Sequence, residues 1–234
     1  MTATLTSPRR PRTGPPLPPI AIATVALFIA SLILPTVLAG GATYPSPYSD
    51  EAAIVEYFRA DTTPVLVTAL LQFAAALPLA IFAATVSVRL NRLGVRAPGP
   101  TIGFAGGILA SASMASSALF TWALTRPEIL ESTELVRLVH DLAFITGGPG
   151  FIVPNGLLIA GIAVPGLIVR ILPRWHARVG LGIAGLAMSA TLAVALPALS
   201  ILLPIVRFTS LAWIVVAAFV IPTETHVINR KDQK

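Results

Sequence analysis

Long apolar runs alternate with short polar segments along this chain. The runs are Ile20–Ala39, Val65–Val88, Ile102–Leu124 and Leu142–Val169, followed by a 43-residue stretch from Val179 to Ile221. About 20 apolar residues cross a ~30 Å hydrocarbon core, so the last stretch is far too long for one crossing and divides into two. Pro197 and Pro204 bracket the expected turn, and Arg207 snorkels to that interface. The pattern predicts an all-α polytopic transmembrane bundle of six spans over residues 20–221. It lies between a basic, Pro-rich, disordered tail (1–19) and a short tail (222–234). A cleaved signal peptide is the alternative for the first run, because Val37-Leu38-Ala39 resembles a cleavage site; the run is longer than a signal core, which favours a retained span.

The polar segments carry helix-start signals. Ser49 reads as an N-cap followed by the first-turn acids Asp50 and Glu51, opening a short interfacial helix with Ala53, Ile54, Tyr57 and Phe58. Thr63-Pro64 opens the second span. Ser132 is placed to cap a helix that runs on into the fourth span, with Glu134, Arg137 and Asp141 on one face.

Composition agrees with the pattern: 55% of the residues are hydrophobic and 11% charged, against about 25% charged in soluble domains. The net charge of +6 then reads as topology rather than nucleic-acid binding. With both termini in the cytoplasm, 12 of the 16 basic residues fall on the inner side, including Arg89, Arg92, Arg96, Arg170, Arg174 and Arg178. Arg59, Arg126, Arg137 and Arg207 fall outside. The positive-inside rule selects this orientation in a bacterial inner membrane. The absence of cysteine excludes disulfides, thiolate catalysis and iron–sulfur clusters.

Few positions are placed to carry chemistry. Small residues recur every fourth position at Gly103, Gly107, Ser111 and Ala115, with Ser113, Ser117 and Thr121 beside them; they read as a packing seam or as the lining of a cavity. Leu181, Gly185, Ser189 and Ala193 make a weaker seam in the fifth span. The fourth span is interrupted by Gly147-Gly148-Pro149-Gly150 and Pro154. Asp141, Gly148 and Asn155 share one helical face, with Asn155 about 21 Å from Asp141. Each proline frees an upstream carbonyl, and irregular backbone at membrane depth survives only where protein or a water-filled cavity covers it. Two readings follow: a ligand site at a broken helix, or a kinked helix with Asn155 bonded to a neighbour such as Gln72 or a serine. His140 and Asp141 are a further candidate pair, for a metal or for pH sensing, but adjacent helical residues diverge by ~100° and make no ready chelate. No metal or cofactor is expected. Arg170, Arg174 and Arg178 suit anionic lipid headgroups. No acidic or basic residue is placed mid-span, and no HExxH, GxSxG or phosphate-binding glycine loop occurs.

The junction Ile171-Leu172-Pro173-Arg174-Trp175-His176-Ala177-Arg178-Val179-Gly180-Leu181 resembles the LPRW…G loop of a family of small polytopic bacterial membrane proteins, common in actinobacteria and classed as a domain of unknown function. Chain size, the six-span plan, Tyr57-Phe58 before the second span and Trp213 in the last span are similar to that family; the Pro-rich start departs from it. The resemblance implies fold and membrane location and supplies no activity. The reading that follows is a non-enzymatic membrane protein that binds an apolar or amphipathic ligand, or a membrane partner, within its bundle. The candidate ligand residues are Asn155, Gln72, Gly148, Asp141 and His140. Expected partners are membrane lipids and either a membrane protein or a second copy of the chain, without nucleic acid. A small transporter using the broken fourth helix is the alternative, and an intramembrane enzyme the weakest one.

Overall fold

The computed structural model describes residues 14–223, which fold into nine α-helices with no strand among them. The basic tail residues Arg9, Arg10 and Arg12, and Arg230, Lys231 and Lys234 at the other end, lie outside the described residues. Six helical segments are long and apolar enough to cross a membrane. They are α1 (Leu17–Leu38), α3 (Thr62–Arg92), α4 (Gly99–Ala123), the pair α6 (Thr133–Gly147) and α7 (Pro149–Ile168), α8 (Arg174–Ser189, prolonged by a 3-10 turn over Ala190–Val194) and α9 (Leu202–Val220, preceded by a 3-10 turn over Pro197–Ile201). The short helices α2 (Glu51–Ala60) and α5 (Pro127–Leu130) lie in the connections at one end of the bundle. The other end carries Arg89, Arg92, Arg96, Arg170, Arg174 and Arg178, and is called the basic end below.

Local chemistry sets the helix ends. α1 begins three residues earlier than the apolar run, inside the expected 1–19 tail, because prolines are tolerated in a first turn whose N–H groups have no helical acceptor. Asp50, not Ser49, caps α2: its carboxylate accepts from the Ala52 N–H at 3.1 Å. Asp61 caps α3 through the Thr63 N–H at 2.8 Å, and the bonds from Thr63 hold its carboxyl below the usual range. Ser132 caps α6 as its spacing predicts, accepting from Leu135 N–H at 3.2 Å. α3 ends in a Schellman motif, with Gly94 at φ 89° and Val95 N–H bonded to Leu90 O at 3.1 Å.

Each span packs on its neighbours in sequence, and α9 returns to α1, so the spans form a closed ring. α3 shows how one helix serves two solvents. Leu66, Leu70, Phe73, Leu77 and Ile81 are exposed on a stripe facing outward, while Ala69, Ala76, Leu79, Ala83 and Val86 are buried on the opposite face. Lipid is as apolar as leucine, so contact between spans depends on close packing and the inward face favours small residues.

The tightest seam joins α4 to α7. A Cβ at Gly161 would stand 2.4 Å from both Cα and N of Gly103, and one at Gly106 would stand 2.6 Å from Pro154 O. The row Gly103, Gly107, Ser111 is shared between two partners: Gly103 faces α7, Gly107 faces Ala83 of α3, and Ser111 Oγ donates to Ala76 O at 2.6 Å. The row expected in the fifth span does not pack in this way. Gly185 and Ser189 are exposed, nothing lies within 4 Å of a Cβ at Gly185, and the buried face of α8 is Gly180, Ala184 and Ala187. The last turn also differs from expectation. It falls at Ala195-Leu196, ahead of Pro197, and Pro204 sits in the first turn of α9, where a proline costs little. Arg207 is therefore the sixth residue of α9, about 8 Å from its start, and its guanidinium turns inward to Gly147 O.

Candidate ligand pocket

Two glycines and a proline end α6 inside the bundle. Gly148 adopts φ −82°, ψ −105°, and Pro149, with no N–H, starts α7. Phe151 and Ile152 N–H both turn to Gly148 O, at 3.2 and 2.9 Å, so Gly147 O receives no helical donor. The Arg207 guanidinium supplies one, donating from Nη2 to Gly147 O. Glycine is required at both positions: a Cβ would lie 2.4 Å from Ser117 Oγ at Gly147 and 2.7 Å from Phe144 O at Gly148. The break is thus a built feature of the fold, with its freed carbonyl satisfied by protein.

Between this break and the end of the bundle opposite the basic end lies a pocket of about 590 Å³. Its deep wall is apolar and aromatic, formed by Phe28, Leu32, Met114, Phe151, Leu203 and Phe208. Arg207 lies against it, with its guanidinium carbon 5.5 Å from the centre of the Phe28 ring and 5.7 Å from that of Phe151. Its Nε is buried and has no hydrogen-bond partner. The polar part of the wall includes the hydroxyls of Ser31, Thr68, Ser117 and Thr121 and the amide of Gln72. Ser117 Oγ donates to Ala143 O at 2.7 Å and Ser31 Oγ to Phe28 O at 2.6 Å, so both keep lone pairs for a further partner.

A short irregular segment, Thr43–Tyr48, forms the mouth. Its prolines donate nothing, but their neighbouring groups are held from α6. His140 Nε2 lies 3.2 Å from Pro45 O, and Arg137 Nη2 donates to Pro47 O at 2.7 Å. Tyr44 packs edge-on to Tyr57 and Phe58, at 5.9 and 5.5 Å, and lies 5.6 Å from the His140 ring. Burial pushes the Tyr44 hydroxyl well above the usual phenol range, against a smaller opposing effect of its hydrogen bond with Thr121. It therefore stays a neutral donor and acceptor at ordinary pH.

The structure brings three of the five candidate ligand residues to this pocket and leaves two away from it. Gln72, Gly148 and His140 are in the wall. Asp141 is not; it pairs with Arg137, one turn earlier, at 3.2 Å. His140 and Asp141 thus diverge, as their adjacency on a helix requires. Asn155 is fully buried between α7 and α9, and its Nδ2 donates to Ser210 Oγ at 2.8 Å. Ser210 passes the bond on to Arg207 O at 2.8 Å. Asn155 faces the bundle interior, but in packed protein and outside the pocket wall. Among the described residues, no three His, Asp or Glu side chains come together as metal ligands.

Arg207 is the residue that sequence reasoning misplaced. The signal was present: a lone arginine with no acid near it in the chain, two turns before the last tryptophan. What the sequence did not show was that the turn precedes Pro197, which carries Arg207 into the helix. His176 reads in the chain as part of an Arg-rich inner loop beside anionic headgroups, but it lies in a helix. It is buried at the start of α8, stacked on Trp213 at 4.6 Å and 2°, while Trp213 Nε1 donates to His176 O at 2.9 Å. Arg170, Arg174 and Arg178 are exposed beside it, as is Trp175 at 62%. Arg170 holds φ 59°, a left-handed position after α7 that glycine usually fills. A second, apolar pocket of about 380 Å³ lies at this end between α4 and α7, with Arg96 on its wall.

No family model, curated protein or solved structure matches the chain.

Proposed function

We propose that this integral membrane protein is a non-catalytic binding protein that holds one apolar or amphipathic molecule inside its bundle. The single observation that supports this is the pocket of about 590 Å³ at the break between α6 and α7. Its volume falls in the ~300–1,000 Å³ range of small-molecule sites, and its make-up, apolar with a few polar groups, is theirs as well. The kinship suggested by the LPRW loop adds no activity, so the reading stands on the pocket alone. A non-catalytic role fits the wall, which offers one imidazole and no carboxylate to work with it.

A pocket-filling variant tests this reading. Gln72 lies on the rigid α3 helix, half-buried in the wall. Gln72→Trp is expected to leave helicity and melting temperature close to wild type while removing the bound molecule. Protein extracted in mild detergent and analysed by mass spectrometry should carry an apolar molecule at near one-to-one ratio in the wild type and much less in the variant. Equal retention by both proteins, or none by either, would reject the pocket as the site.

A small transporter remains the second reading, because the broken helix flanks the pocket. Against it, Asn155 is sealed by packing, so the pocket does not continue past that point to the basic end.

The proposed setting is a bacterial inner membrane, with both termini and the basic end in the cytoplasm. The exposed Arg92, Arg96, Arg170, Arg174 and Arg178 support this orientation. They would also meet anionic headgroups there. Reporter fusions after Lys234 and within residues 124–132 are expected to report cytoplasm and periplasm respectively. The reverse pattern would invert the assignment and place the pocket in the inner leaflet.

A further inference from the structure

We infer that the molecule held in this pocket is an amphipathic anion, with an oxyanion head at Arg207 and an apolar tail along the aromatic wall. The inference rests on the pocket reading above and specifies its ligand. Its starting point is an imbalance of charge. Arginine keeps its proton under all ordinary conditions, so Arg207 brings a full positive charge into a membrane helix. A guanidinium inside a membrane span is costly, and such residues usually pair with an opposite charge. Arg207 does not. Among the described residues the ion pairs are Arg126–Glu128 and Arg137–Asp141. The wall of the pocket contains no aspartate or glutamate at all.

What the protein does supply is partial. One N–H bond reaches Gly147 O, and two ring faces, Phe28 and Phe151, lie within cation–π range of the guanidinium. Nε is left without a partner. A carbonyl dipole and two quadrupoles orient a guanidinium without neutralising it. They hold the fork in place at the wall of a pocket, where a planar or tetrahedral oxyanion can meet it with charge-assisted hydrogen bonds. Hydroxyls of Ser117 and Thr121 line the same pocket. A cationic head would meet Arg207 as a like charge, and a neutral head would leave the charge uncompensated.

The tail follows from the rest of the wall. Leu32, Met114, Leu203 and Phe208 offer apolar contact beyond the guanidinium. A small inorganic anion would leave that surface uncovered. Carboxylate and phosphate monoester heads share the recognising chemistry, so a fatty acid and a lysophospholipid are both sources to be separated by experiment.

The test measures equilibrium binding of four probes to full-length protein in nanodiscs of phosphatidylcholine: oleate, oleyl alcohol, oleoyl-lysophosphatidic acid and acetate. Wild-type protein is expected to bind at least one of the two lipid anions tenfold or more tightly than oleyl alcohol, and the tighter one identifies the head. Arg207→Gln should weaken that anion by tenfold or more and leave oleyl alcohol within twofold; Arg207→Lys should retain most of the preference. If Arg207→Gln fails to fold once Gly147 O loses its donor, the anion-to-alcohol ratio on the wild type decides alone. Equal binding of anions and alcohol overturns the charge assignment and leaves the pocket reading standing. Acetate binding as tightly as oleate overturns the amphipathic assignment. No binding of any probe, together with no molecule retained on extraction, removes the pocket reading and this inference with it.

Discussion

Gly161→Val should unfold the bundle more readily than any other single substitution at the α4–α7 contact. The added Cβ meets Gly103 Cα and N at 2.4 Å and Gly99 O at 2.6 Å, all of them backbone atoms. A flexible side chain gives way to an intruding group; a helix backbone moves only if the whole helix moves. Overpacking a well-packed site costs roughly 1–3 kcal/mol, and the backbone obstruction places this variant at or above the upper end, about 3 kcal/mol. In lipid no hydrophobic term compensates for the lost approach, because association of spans depends on van der Waals contact. Thermal unfolding in detergent, followed by helical circular dichroism, measures it. Gly182→Val is the control. Gly182 is exposed on α8 with nothing within 4 Å of a Cβ, so the same change there should shift stability by only a few tenths of a kcal/mol. Similar losses in the two variants would show that the α4–α7 seam is not close-packed in the membrane.

Trp213→Ala is expected to be the second large loss, and it acts at another seam of the ring, between α8 and α9. Trp213 is 3% exposed, stacks on His176 and donates to its carbonyl at 2.9 Å. Gly180 allows this packing, since a Cβ there would lie 2.6 Å from the indole. One side chain thus ties α9 to the first two turns of α8. Truncating a buried tryptophan costs about 3–5 kcal/mol, and in a membrane the lower end applies because lipid replaces part of the contact. Trp213→Phe keeps a ring over His176 but loses the donor and part of the packing on Gly180, a change worth about 1–2 kcal/mol. The expected order in a melting experiment is wild type, then Phe, then Ala. If Phe and Ala melt together, the hydrogen bond rather than the stacking holds the junction.

The two glycine variants and the tryptophan pair also separate what was legible in the chain from what was not. Span number, helix class and the cap at Ser132 follow from local rules: the apolar length needed to cross lipid, and the orphan N–H groups of a first turn. The broken fourth span was legible for the same reason. Pro149 lacks an N–H wherever it sits, and a freed carbonyl must find a partner. Which partner it finds is not local information. Arg207 is 60 residues from Gly147 and meets it only because the last turn closes at Ala195-Leu196 and α9 packs back against α7. Asn155 was expected to turn inward because an amide facing lipid is costly, and it does; that it meets Ser210 in packed protein, beyond the pocket, depends on the rotation of α9.

Small residues illustrate the same division. Gly103 and Gly185 stand in similar four-residue rows, yet one touches a helix backbone and the other faces open space. Spacing records which residues share a face, and both rows share one. In a membrane both faces of a helix are apolar, so hydrophobic pattern does not say which face looks inward. That choice, and with it the pocket and its arginine, was made by the mutual packing of six helices. Local sequence determined that there would be helices, how many would cross, and where one would break.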